Sequence, residues 1–260
     1  MKKLGKLIIG LVVLLIVVLA AVFFSLNSIV KKGVETVGPE VTKVQIKLDG
    51  VNLSPLSGGG SLKGLFVGNP EGFKSDFAIK ADTIGVNVNV RSVMADKIIV
   101  ESIEVVGPEI TLEGSLSGNN LTTILKNVED FANSLSKGTG TETKDQPAAK
   151  AQKKLQVNDF LIKDAKVKVA LTMLGGKGAT VPLPDIHFKD LGTGPEGITA
   201  TDLIQKVTSE VVNGSVKAAG QVVSDLGKGV TDAAKGASKS ATEAVEKTTS
   251  GIKNLFKKKE

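Results

Sequence analysis

Leu7 to Leu26 reads LIIGLVVLLIVVLAAVFFSL and carries no charged residue. A helix of about 20 apolar residues rises about 30 Å, roughly the hydrocarbon thickness of a bilayer. In that medium the backbone has to bond to itself, which a helix achieves. Whatever follows Leu26 is therefore expected to be tethered to a membrane. A cleaved leader has a shorter apolar region, about 7–15 residues, and a small-x-small site. Here Val22-Phe23-Phe24 follows Ala20-Ala21, where that site would fall, so residues 1–30 read as a retained anchor. Lys2, Lys3 and Lys6 precede the span, and Lys31 and Lys32 follow it. The positive-inside rule then puts the N-terminus in the cytoplasm and residues 27–260 outside it.

The formal net charge is +6, yet 27 acids face 33 bases and Arg occurs once, at Arg91. With no Trp or Tyr to stack on bases, no nucleic-acid partner is expected. A mildly basic surface beside anionic lipid fits the charge as well. There is no cysteine, which excludes disulfides and thiolate metal sites.

From Val44 the pattern has period two. Val44, Ile46 and Leu48 alternate with polar residues, as do Ile84, Val86, Val88 and Val90. Each such run has one apolar face, which predicts a one-sided antiparallel sheet. Ser57-Gly58-Gly59-Gly60-Ser61 and Asn69-Pro70-Glu71-Gly72 are turns. The glycine run precedes a strand-like segment, Leu62 to Val67, rather than a helix, so a phosphate cradle is not expected.

Lys97–Ser115 and Lys154–Thr172 align at a constant offset of 57 residues. Ile98, Val100, Ile103, Val105, Ile110 and Leu112 match Leu155, Val157, Phe160, Ile162, Val167 and Val169, with Gly107-Pro108 opposite Asp164-Ala165. The spacing predicts a repeated strand–turn–strand hairpin. Between the copies, Asn119 or Asn120 caps a helix striped by Leu121, Ile124, Leu125, Val128 and Phe131. Ser134 to Lys154 is polar throughout and reads as a disordered linker.

Val181-Pro182-Leu183-Pro184-Asp185-Ile186-His187-Phe188 is extended, since the prolines restrict their neighbours, and reads as an edge strand. Gly175-Gly176-Lys177-Gly178 lacks the Ser or Thr of a P-loop. His187 is the one histidine, and neither it nor the scattered acids suggest a catalytic pair or metal cage, so no enzyme, metal or cofactor is expected. From Thr199, Val212, Val223, Ala234, Val245 and Phe256 recur every 11 residues, a stripe that stays on one helix face. Gly214, Gly220, Gly227, Gly229 and Gly236 weaken it by about 1 kcal/mol each. Such a helix needs a surface to lie on, either a membrane or the apolar face of the sheet.

Several stretches together resemble the N-terminal part of the AsmA family. They are the anchor, SPLSGGGSLKGLFVGNPEGF (Ser54–Phe73), the run through Val90, ADKIIVESIEVVGPEITLEG (Ala95–Gly114), LSGNNLTTILKN (Leu116–Asn127) and VPLPDIHFKDLGTGPEG (Val181–Gly197). The resemblance implies an inner-membrane protein exposed to the periplasm of a Gram-negative bacterium. Larger relatives are similar to bridge-like lipid carriers linked to outer-membrane biogenesis, with a sheet curled into an apolar groove. This chain has strands for a short sheet only, too short to cross a periplasm.

The expected organisation is α+β: an anchor over 1–30, an antiparallel β domain over 31–198, and an amphipathic helix over 199–260. The expected function is a non-enzymatic, membrane-anchored envelope protein of AsmA-like type that contacts lipid, with phospholipid as the candidate, or supports lipid transport and outer-membrane biogenesis. The alternative is a scaffold whose C-terminal helix binds a membrane or a partner. Ile84, Val86, Val88, Ile98, Val100, Ile110 and Leu112 form the candidate lipid-facing set; the plainer reading of the same face is core, because a one-sided sheet needs cover. Leu255, Phe256, Lys257, Lys258 and Lys259 form the candidate membrane-surface set.

Overall fold

A computed structural model describes residues 25–115, 118–137, 153–171 and 178–234. The alternating runs form strands β1 (Ile46–Lys47), β2 (Gly50–Leu53), β3 (Gly59–Val67), β4 (Ile79–Val88), β5 (Lys97–Val106), β6 (Glu109–Ser115), β7 (Gly118–Asn119), β8 (Lys154–Lys163), β9 (Lys166–Leu171), β10 (Gly178–Pro182) and β11 (Ile186–Leu191). All join one 11-stranded sheet. Helix α1 (25–42) precedes it, α2 (Asn120–Lys137) lies between β7 and β8, and α3 (Ala200–Ala234) follows β11. A 3₁₀ turn, Val90–Met94, links β4 to β5.

The pairing departs from the expected hairpins. β5 pairs with the end of β4 and β6 with its start, both antiparallel, and no pairing joins β5 to β6 among the described residues. Lys97 to Ser115 is thus one long strand bent at Gly107-Pro108. Lys154 to Leu171 is its copy, bent at Asp164-Ala165. The copies lie side by side in parallel, with Ile98 on Leu155, Val105 on Ile162 and Leu112 on Val169. Gly178 to Leu191 follows the same line antiparallel, β10 on β9 and β11 on β8. The sheet is therefore mixed, not antiparallel throughout. The reason is the crossover: α2 and the segment after it return the chain to the starting end, as a parallel pair requires.

The bend is shared across these strands. Gly107 N–H donates to the Lys163 carbonyl at 2.8 Å, Lys166 N–H to that of Pro108 at 3.0 Å, and Leu183 N–H to that of Ala165 at 2.8 Å. A second irregularity lies between β4 and β5. Between Asn87 and Val88 the register against β5 slips, leaving Glu101 as an extra residue. Asn158, its counterpart in β8, donates to Glu101 Oε2 at 2.7 Å. At the same level of β8 the alternation is also broken: Val157 and Phe160 are both buried although three positions apart.

Helix α1 covers one edge of the sheet. Asn27, Lys31 and Glu35 recur every four residues and so share one helix face. Asn27 Oδ1 accepts from Leu53 N–H at 2.9 Å, and Glu35 Oε1 from Leu48 N–H at 3.0 Å. Lys31 Nζ donates to the Asp49 carbonyl at 3.3 Å. Backbone groups of an edge strand are thereby satisfied. Helices α2 and α3 pack on each other and on β6, β9 and β10, and one core unites sheet and helices, with Val211, Val212 and Ala219 of α3 inside it.

Leu7 to Leu26 lies outside the described residues except for Ser25 and Leu26 in α1. Among the described residues no helix is long and apolar enough to cross a membrane. Of the expected linker, Ser134 to Lys137 is helical and Lys154 opens β8; the stretch between them is outside the described residues save Lys153. Leu255, Phe256, Lys257, Lys258 and Lys259 also fall outside.

Candidate functional site

Six of the seven apolar residues expected on one face, all but Ile98, belong to or pack against one core cluster, and the seven divide by exposure. Leu112 is 0% and Ile110 2% accessible, beneath α2 and α3, and Val100 is also buried. These three are core and do not face a ligand. Ile84, Val86, Val88 and Ile98 are only half-buried. The last two sit at the end of the sheet where β4 gives way to the Val90–Met94 turn. Beyond them exposure rises further, to 43% at Val93 and 91% at Met94. The apolar face is thus sealed over β5 and β8, where Val105, Val157 and Phe160 are buried, and opens along β4 toward the Val90–Met94 turn.

The open end is the end at which α1 starts. Asn27 holds Leu53, and the Ser54–Gly58 turn that follows closes with Gly58 N–H on the Ser54 carbonyl at 2.8 Å. That turn abuts β4, because Val88 N–H donates to the Gly58 carbonyl at 2.9 Å. Gly58 has φ 79°, and a Cβ there would stand 1.9 Å from the Val88 carbonyl oxygen, so only glycine permits this approach.

Around β6 the motif residues build a buried polar cluster that sequence reasoning did not single out. The Glu113 carboxylate accepts Lys74 N–H at 2.9 Å and Ser75 N–H at 2.7 Å. Asn120, fully buried at the start of α2, accepts Glu113 N–H at 2.9 Å. Asn120 also donates to Asn69 Oδ1 at 2.7 Å and to the Thr111 carbonyl at 2.8 Å. Burial pushes the Glu113 carboxyl up, but hydrogen bonds from the Ser75 side chain and the two backbone N–H groups outweigh it and hold it below its usual range. The cluster fixes the Asn69–Ser75 loop over the back of β6 and satisfies every polar atom it uses. Its arrangement is that of a clamp, not of a site open to substrate.

Other charged groups pair on the surface. His187 Nε2 lies 2.6 Å from Asp159 Oδ1, and Lys163 Nζ 2.6 Å from Glu104 Oε1. The Glu104 carboxylate holds the half-exposed Lys163 ammonium above its usual range. An open pocket of about 410 Å³ between α2, α3 and β11 is lined by Glu129, Asp202, Glu210, Lys206 and Phe188 among others. Lys206 lies 5.8 Å over the Phe188 ring. Among the described residues no group of three or more acids or histidines is placed to hold a metal ion.

The family model described as AsmA family matches residues 1–173, which takes in the apolar run Leu7–Leu26, the clamp and all of the first repeat. No curated protein matches the chain.

Proposed function

This chain belongs to the AsmA family, and from that premise we propose that it is an inner-membrane-anchored envelope protein whose half-open apolar sheet face receives phospholipid acyl chains. It works without catalysis of its own, and residues 27–260 face the periplasm. The observation that carries the reading is the exposure gradient. Ile110 and Leu112 are sealed by α2 and α3, whereas Val86, Val88 and Ile98 open toward the end where α1 emerges from the apolar run. A hydrocarbon chain leaving a bilayer there meets apolar surface rather than water, which favours transfer by about 25 cal/mol per Å² buried.

The first half of α3 argues against the scaffold alternative in its simple form. Leu203, Val207, Val211, Val212 and Val216 pack into the sheet core instead of facing outward. This part of the 11-residue stripe is an intramolecular cover.

The full chain purified in mild detergent from a Gram-negative host should yield stoichiometric phospholipid on extraction and mass spectrometry. A lipid-free, folded preparation contradicts the reading. A periplasm-active phosphatase fused after Glu260 should be active, and activity of a cytoplasm-only reporter there would reverse the topology.

A further inference from the structure

We propose that the tip of the sheet formed by the Ser54–Gly58 turn and the Val90–Met94 turn docks into the anionic surface of the membrane that holds the anchor. The proposal rests on the reading of Leu7–Leu26 as a span, and it adds a second, independent point of contact. Asn27 is the first residue after that run and binds Leu53 N–H at 2.9 Å. The turn beginning at Ser54 therefore sits within a few residues of the end of the span.

The tip presents the side chains that such a position calls for. Leu56 is 88% and Met94 91% exposed, with Val90 and Val93 each more than two-fifths exposed beside them. These account for four of the nine large apolar side chains exposed among the described residues. They come from two turns, which adjoin because a Cβ on Gly58 would lie 3.1 Å from Val90 Cγ2. Exposed apolar side chains gathered on one end mark an interaction surface. The charge around them selects anionic lipid as the occupant. Arg91 lies within the turn, and Lys153 Nζ donates to the carbonyls of Val93 at 2.8 Å and Ala95 at 3.1 Å. Lys97 follows, donating to the Gly194 carbonyl at 3.1 Å. Asp96 is the one acid within Asn89–Lys97. Basic residues framing apolar ones are the pattern of an interfacial contact. The tether makes this contact intramolecular, so weak side-chain insertions suffice to hold it.

Docked this way, Val88 and Ile98 stand directly above the headgroups, and the open end of the apolar face adjoins the bilayer.

The chain contains no Trp or Tyr, so one introduced Trp reports without background. Full chains carrying Leu56→Trp, Met94→Trp, Val13→Trp or Glu71→Trp are reconstituted into vesicles of equal parts phosphatidylglycerol and phosphatidylethanolamine, with and without brominated acyl chains. Leu56 and Met94 are exposed enough to accept Trp without repacking. The expected result is a blue-shifted emission at Leu56→Trp and Met94→Trp that falls severalfold on bromination, while the exposed Glu71→Trp control is unaffected. If both tip probes match Glu71→Trp, the docking is overturned. Quenching of Val13→Trp decides the span separately: a quenched Val13→Trp with unquenched tip probes leaves the anchor standing and removes the tip. Quenched tip probes beside an unquenched Val13→Trp overturn the proposal of a tethered contact, because the surface that the tip meets then holds no anchor.

Discussion

Gly107 and Asp164 stand 57 residues apart and take the same left-handed backbone, φ 62° and 56°, on adjacent parallel strands. The bend that they create divides the sheet in two: β6, β9 and β10 lie under α2 and α3, while on the other side Val105, Val157 and Phe160 are buried and Ile84, Val86 and Val88 of β4 are only half-buried. A left-handed conformation costs an L-residue about 1–2 kcal/mol, less for Asp, whose side chain bonds locally.

Gly107→Ala should therefore destabilise the protein by about 1 kcal/mol. No atom lies within 4 Å of the added Cβ, so the effect is purely of the backbone. Asp164→Gly should be neutral or stabilising, and Asp164→Ala destabilising. Urea midpoints of the full chain in detergent measure all three.

Glu113 makes stability depend on acid. Its folded pKa lies below the unfolded value near 4.5, so its contribution is complete above that value and is lost as the pH falls through the folded one. Glu113→Gln should cost about 1.5–3 kcal/mol at neutral pH, the range for a hydrogen-bonded charge. The difference from the parent should shrink as the pH is lowered below 4.5. Unfolding curves at neutral and acid pH give both numbers.

Ser215 is completely buried in α3, and its hydroxyl has no hydrogen-bond partner. Ser215→Ala removes a desolvated hydroxyl and adds helix propensity, so stability should rise by about 1 kcal/mol. A fall in the melting temperature would mean that the hydroxyl is bonded after all.

The position of α3 can be trapped because the chain has no cysteine. A Cβ on Gly214 would come within 2.8 Å of Leu183 Cδ1. Gly214→Cys with Leu183→Cys should form a disulfide on mild oxidation, in vesicles as in detergent. Failure to cross-link only in vesicles would mean that α3 leaves the sheet for the membrane.

The strands were legible because each apolar residue of the first repeat has a counterpart 57 positions on. Those very pairs became partners, Ile110 on Val167 and Val100 on Val157. Periodicity reports which face a residue takes, not which strand lies beside it. Gly107-Pro108 therefore looked like a hairpin turn, whereas β4 running past both β5 and β6 makes it a bend. Glu113 was missed for a similar reason. It falls on the polar side of the alternation with Ile110 and Leu112, which ordinarily faces water. The Asn69–Ser75 loop folds over that side and leaves it 3% accessible. The signal in hand was the pair Asn119-Asn120, read only as a cap, although Asn120 spends its amide on Asn69 and the Thr111 carbonyl. The exposure of β4 was hidden too, since Val86 and Leu112 have the same alternating pattern, yet Val86 is half-buried and Leu112 lies in the core.

The claim that phospholipid occupies the open part of the apolar face is tested most directly by placing a photo-crosslinking amino acid at Val86 in the full chain, in cells. Thr83 on the same strand, exposed to solvent, serves as the control. On irradiation the Val86 probe should acquire the mass of a phospholipid and the Thr83 probe should not. A folded, membrane-bound protein whose Val86 probe gains no lipid, or gains no more than the Thr83 probe, would contradict the account.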